Sequence, residues 1–207
     1  MKSVLNVLAV LSLSATPLLA QPADNHQHAP GDGHIHKPRS EVRAGSMRDE
    51  SNTAYFWRKS DQAFHDGDYE RAVNLHRAIV ALDPNDVESF SVGAWLLWSM
   101  EKHQEATAFI ARGLAANRDN WEMWNAAAQH YDLRKMKPEA KAAYVRALSL
   151  IPKEEDSQML RRRLAHAAER DGDVALSLQT WRDLVRDYSN EPVNHNNLAR
   201  VEKLEKN

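Results

Sequence analysis

Four histidines fall between positions 26 and 36, as two His-x-His pairs, His26/His28 and His34/His36. In an extended chain, residues two apart point to the same side, so each pair presents two imidazoles together. The segment Ala29-Pro30-Gly31-Asp32-Gly33 between the pairs lets them converge on one ion. Four nitrogen donors suit Zn(II), Cu(II) or Ni(II), with affinity falling as histidine protonates. Cleavage after Ala23 would add a third-position histidine, Asp24-Asn25-His26, which chelates Cu(II) with the terminal amine. The alternative is a polar spacer that contains histidine, and the residues leave both readings open. A second group is the basic run Arg161-Arg162-Arg163, and a third is the pair Trp95 and Trp98. Arginine makes bidentate bonds to carboxylates and tryptophan offers large contact area, which together suit a peptide ligand. The same residues also fit a solvated helix face and ordinary packing between helices.

Other chemistries are excluded or unsupported. Cysteine is absent, which removes disulfides, thiolate metal sites, thiol nucleophiles and an acylated N-terminal cysteine. No H-E-x-x-H, G-x-S-x-G or P-loop motif occurs. A formal net charge of −2 gives no global field toward nucleic acid or anionic lipid. The two Asp-Gly-Asp triplets at 66–68 and 171–173 offer carboxylate pairs, but they read as helical-hairpin turns.

Several elements must position these groups. Met1-Lys2 followed by "VLNVLAVLSLSATPLLA" predicts an export signal over 1–20, ending at Ala20, with an uncleaved N-terminal anchor as the alternative. Residues 21–52 are rich in Pro, Gly and His and hold almost no large apolar side chain. Such a segment cannot offset its ordering entropy, so it reads as a disordered linker. From 53 onward the chain is helical in pattern, with only 7 Gly and 8 Pro in the whole sequence. In "YERAVNLHRAIVALDP" the apolar residues Ala72, Val73, Leu75, Ala78, Ile79 and Leu82 form a helical stripe, closed by Pro84.

The stripe repeats. "GDYERAVNLHRAIVALDP" and "KMKPEAKAAYVRALSLIP" superpose at an offset of 68 residues, with Ala106 lying 34 from both Ala72 and Ala140. A period of 34 with the frame W-x2-L-G-x2-Y, A-x3-F and a closing proline resembles the tetratricopeptide repeat. Trp124, Ala127, Ala128, Tyr131, Ala140, Tyr144 and Pro152 fill that frame best. Units are predicted at 53–86, 87–120, 121–154 and 158–191, the fourth after three extra residues near Glu155 to Ser157. His76 stands where the frame expects an apolar ring, and Trp124 and Trp181 occupy core positions. A polar cap helix is expected over 191–205, because the last hairpin of a stack needs a solvated face.

The resemblance implies an all-α, right-handed superhelical solenoid of about four hairpins plus the cap. It also implies a concave groove lined by the first helix of each hairpin, which in this family binds a peptide or protein segment. Carried over by register, the groove residues are Trp57, Arg58, Asp61 and Phe64; Ser91, Trp95 and Trp98; Asn125, Gln129 and Asp132; Arg162, Arg163 and His166; then Asn196, Asn197 and Arg200. The expected function is an exported, periplasmic or secreted scaffold that requires no cofactor and catalyses nothing. Its partner would be a protein or peptide with an acidic or C-terminal carboxylate group at the arginine end, with no nucleic acid and no stable membrane span after cleavage. The competing reading is an envelope metal-binding or metal-delivery protein carrying Zn or Cu on the histidine tail.

Overall fold

The computed structural model describes residues 50–205, and the expectations for the signal, for the linker up to residue 49 and for His26, His28, His34 and His36 lie outside them; residues 50–52 of the predicted linker belong to the folded part, with Ser51 capping α1 and Asn52 opening it. The described chain is a series of helices: α1 (Asn52–His65), α2 (Tyr69–Leu82), α3 (Val87–Ser99), α4 (His103–Ala116), α5 (Trp121–Leu133), α6 (Lys137–Leu150), α7 (Gln158–Arg170), α8 (Val174–Asp187) and α9 (Pro192–Glu205). Consecutive helices pack as antiparallel hairpins, α1 with α2 through α7 with α8, and α9 closes on α8. The odd-numbered helices form one layer, the A layer, and the even-numbered helices form the B layer.

Local chemistry sets the starts of the helices. The side chains of Ser51, Asp68, Asp86, Asn120 and Asp173 each accept a bond from a backbone N–H of the following first turn. Those N–H groups have no partner inside the helix, so such caps stabilise it by about 1 kcal/mol each. Inside every hairpin one residue turns left-handed: Gly67, Glu101, Lys135 and Gly172, with φ between 58° and 83°. The N–H of the next residue then reaches back to the carbonyl of Ala63, Leu97, Tyr131 or Ala168. This is the closure that ends a helix with a residue in the left-handed region.

Alanine at the tightest crossings lets the two layers meet. Ala72, Ala106, Ala140 and Ala168 are fully buried. Gly93 is tighter still, since a Cβ there would stand 2.6 Å from Cε1 of Phe109. The bulk of the core comes from one repeating B-layer position: Ile110, Tyr144 and Trp181 are buried there, and His76 takes their place in the first hairpin. The core passes along the stack in overlapping sections, from hairpins one and two into α5, then α5 to α7, then α8 to Val201 of α9. No single hairpin encloses its own apolar face, so the stack folds as neighbours. Among the described residues, no helix is long and apolar enough to cross a membrane.

Candidate functional site

The A-layer face carries most of the residues that could recognise a partner, and its two ends differ. At the N-terminal end, Phe64 in the last turn of α1 lies 6.1 Å from Trp95 of α3 and 5.6 Å from Tyr69, the first residue of α2, ring centre to ring centre. Phe64 is 37% exposed and Tyr69 39%. Trp95 and Trp98 are half-buried and pack against the core of the first two hairpins, so each supplies an edge of surface rather than a free ring. Asp61, one turn before Phe64 on the same stripe of α1, is well exposed and faces His65 at 3.6 Å.

Two residues predicted for this end do other work. The Trp57 indole donates to Asp86, the N-cap of α3, at 2.9 Å, and stands edge-on to His76 at 4.8 Å, wedging the first two hairpins together. Arg58 forks onto both carboxylate oxygens of Glu50, at 3.1 and 2.9 Å, and lies over the Tyr55 ring.

At the C-terminal end the polar groups close on one another. Arg163 of α7 donates to Asn125 of α5 at 3.0 Å. Arg162 donates to Asn194 at 2.8 Å and Glu191 at 3.1 Å, clamping the start of α9. Asp132 accepts from Arg170 at 2.6 Å and from the Tyr144 hydroxyl at 3.1 Å. Burial, then the Asp132 charge, pushes the Tyr144 phenol up. Arg200 of α9 pairs with Glu169 of α7, one bond measuring 2.7 Å, and holds that carboxyl below its ordinary range. Arg161 binds Asp187 at 2.9 Å. His166 stands edge-on to Trp181 at 5.0 Å, and burial followed by the Arg200 charge lowers its pKa. Gln129 and Asn197 donate to carbonyls of their own helices, and Asn196 is exposed. Of the arginines predicted at this end, Arg162 and Arg200 both face carboxylates, whereas Arg163 bonds the neutral Asn125 and, among the described residues, makes no ion pair.

One arrangement looks catalytic at first sight. His76 Nε2 is 2.8 Å from the Ser60 hydroxyl, and Nδ1 is 3.3 Å from that of Ser89. Ser60 is buried, His76 is 1% exposed, and no substrate reaches them. Burial lowers the His76 pKa to about 4, so it is also a weak base. The three residues satisfy one another at the joint of hairpins one and two, where an apolar side chain stands in the later hairpins. An open depression of about 780 Å³ lies among the loops near Asn85, Asn120 and Pro152. Asn117 and Asn120 there already bond backbone groups of the turns, and Asp119 pairs with Arg146 at 3.3 Å. Among the described residues, no group of three potential metal ligands occurs.

Tyr69 was not among the predicted groove residues. The signal for it is that the first B-helix position reads Tyr69, His103, Lys137 and Val174 across the four hairpins, so only the first supplies an aromatic ring. The arginine pairings were also missed. They join residues 26 to 38 apart, close to one repeat, so they become visible only once the register is fixed.

No family model matches the chain. No curated protein matches it either. Solved structures do. Nearly identical TPR-like repeats from Podosopora anserina superpose with a TM-score of 0.60 at 15% identity, covering 76% of this chain and 89% of that one. The MamA protein gives 0.57 at 13% identity, covering 73% and 81%. A structure of Naa15/Naa10 bound to HypK-THB gives 0.58 at 24% identity; it covers 76% of this chain, which spans only 23% of that one. At these identities the likeness is one of fold. The described chain has the fold of a tetratricopeptide-repeat solenoid, with four helical hairpins and a closing helix.

Proposed function

We propose that this protein is a non-catalytic scaffold that captures a segment of another protein on its A-layer face. One observation carries the reading: Phe64, Tyr69 and Trp95 form a contiguous, solvent-reaching aromatic surface, while the other end of the same layer has closed its polar groups internally. Aromatic anchors of this kind dominate the energy of protein interfaces. An extended segment starting on the aromatic end would pass Asn125 and Gln129 and reach Arg163, whose neutral partner leaves its charge for an acidic or C-terminal carboxylate group. The export signal over 1–20 would place this capture in the periplasm or outside the cell. The His26, His28, His34 and His36 tail would be an accessory that holds Zn or Cu.

A photocrosslinking amino acid tests the face directly. Placed at Trp95 or Gln129 in the full chain, it should form adducts with a protein of the native envelope. Placed at Val145, on the exposed side of the B-layer helix α6, it should not. Adducts mainly from Val145 would remove the A-layer face from consideration.

A further inference from the structure

We infer that the aromatic end of this face takes a basic side chain, Lys or Arg, of an extended partner segment. The inference rests on the capture reading above and names the chemistry of its anchor. Three observations support it. Phe64, Tyr69 and Trp95 lie side by side, with Phe64 tilted 43° to Tyr69 and 49° to Trp95, so their ring faces border one shared surface. A ring face carries negative charge density and attracts a cation within about 6 Å.

Second, among the described residues this chain places its own Lys and Arg over other rings but not over these three, where the neighbouring ring of Phe64 on its own helix is His65, edge-on at 5.6 Å. Arg58 and Lys59 lie over Tyr55, Arg112 over Phe90 and Phe109, and Arg161 over Tyr188. Among the described residues, no Lys or Arg takes that position on Phe64, Tyr69 or Trp95.

Third, a carboxylate stands on the Phe64 stripe, and the lysine nearest in sequence register to Tyr69, Lys102, is already paired with Glu70. Asp61 shares the Phe64 stripe of α1, and its side chain is 74% exposed. Among the described residues its ion-pair partner is His65, whose side chain is itself 68% exposed. The predicted groove arginines stand elsewhere: Arg58 is turned to Glu50, and Arg162, Arg163 and Arg200 belong to α7 and α9. A guanidinium or ammonium group on the rings therefore meets a carboxylate and no competing Arg or Lys of the predicted groove. An acidic side chain would meet Asp61 and three negative ring faces. The two ends of the A layer together select a segment with a basic anchor at the α1–α3 end.

Two fluorescein-labelled peptides, alternating Ala-Lys and alternating Ala-Glu, test the inference by anisotropy with the full chain. The Lys peptide should bind the more tightly of the two, because the Glu peptide has only Arg163 to meet. Tyr69→Leu, which keeps an apolar side chain but removes the ring, should weaken the Lys peptide about tenfold. Asp61→Asn should weaken it about threefold and flatten its dependence on salt. Both residues are exposed, so circular dichroism should show unchanged helix content. Equal binding of the two peptides, preference for the Glu peptide, no binding of either, or indifference to both substitutions would each overturn the basic anchor. Envelope adducts at Trp95 obtained alongside any of those results would leave the capture face standing with a different occupant. Loss of the Trp95 adducts would remove the capture face itself.

Discussion

The first two hairpins and the last two present the same layer of helices to solvent, yet they use it differently. In α1 and α3 the exposed stripe is aromatic, and its cross-helix contact is the Phe64–Trp95 pair. In α5, α7 and α9 the stripe is polar and tied from helix to helix by Arg163–Asn125, Arg170–Asp132, Arg162–Asn194 and Arg200–Glu169. Both arrangements satisfy a solenoid, which needs only that each hairpin cover its neighbour. The difference is in what remains for a partner. A paired guanidinium must give up its carboxylate to bind another, so the polar half gains little from a ligand, whereas an open ring loses only water.

The core beneath should break the symmetry most strongly. Trp181 is 0% exposed and joins α8 to α7 and α9. Trp181→Ala should cost about 3–5 kcal/mol, as deletion of a buried aromatic ring does. Urea unfolding followed by circular dichroism should show the loss. Hydrogen exchange should place it first in α8 and α9, leaving α1 to α3 protected. Uniform loss of protection would mean that the two halves fold as one cooperative unit.

Acid should act at the other end. His76 joins the first two hairpins and His130 the second and third, through Thr107 at 3.0 Å. Burial lowers both pKa values to about 4, helped at His130 by the Arg134 and His103 charges. The folded chain therefore favours neutral rings, while the unfolded chain protonates them near pH 6.5. Their stabilisation is complete above about pH 6.5 and is lost progressively as pH falls toward 4. The loss at His76 alone is of order 3 kcal/mol. Exchange at pH 5 should open hairpins one to three ahead of α8 and α9. His76→Phe restores the ring expected by the repeat and should flatten the pH dependence of stability between pH 4 and 6.5. An unchanged slope would mean that His76 is not the titrating group.

How much of this was readable beforehand follows from what repeats. Ala72, Ala106 and Ala140 recur across the first three hairpins, the Asp-Gly-Asp turn in the first and fourth, and the closing proline after the first and third, because these hairpins share the same close approach, turn and stop. They fix the fold and the register. The predicted face does not recur, and a single sequence gives register without partner. Arg162 falls on the predicted stripe, but whether it meets solvent, a ligand or Glu191 depends on the angle at which α9 lands. Trp57 likewise fits the stripe, and only the position of Asp86 turns it into a wedge. His76 was visible as a departure from the frame; Ser60 and Ser89, which make the departure tolerable, were not.

A smaller effect should separate the closing helix from the rest. Arg162→Ala removes one bond to Asn194 of α9 and one to Glu191 just before it while leaving the core intact, and should cost about 1–2 kcal/mol. Exchange protection should fall along Pro192–Glu205 and stay unchanged in α1 to α4. If capture of a partner were lost with α9 still protected, Arg162 would be a contact residue rather than a clamp.

The smallest difference runs the other way and sets the outer hairpins against the inner ones. Hairpins one and four turn on Gly67 and Gly172, with Asp68 and Asp173 capping the next helix. Hairpins two and three turn on Glu101 at φ 63° and Lys135 at φ 58°, and Lys102 and Met136 make no side-chain cap. A side chain with a Cβ is strained in the left-handed region, where glycine is not, although glycine loses more freedom on folding. The balance favours glycine at a position that must keep positive φ, so Glu101→Gly and Lys135→Gly should each stabilise by about 0.5–1 kcal/mol. The cap adds to this: Lys102→Asp would supply the missing acceptor but break the pair with Glu70, so its gain should be smaller than that of Met136→Asp, for which no competing ion pair is present. Midpoints of thermal unfolding should rise for both glycine variants and rise more for Met136→Asp than for Lys102→Asp. Equal gains at Lys102 and Met136 would mean that the Glu70 pair contributes nothing to holding the first hairpin on the second.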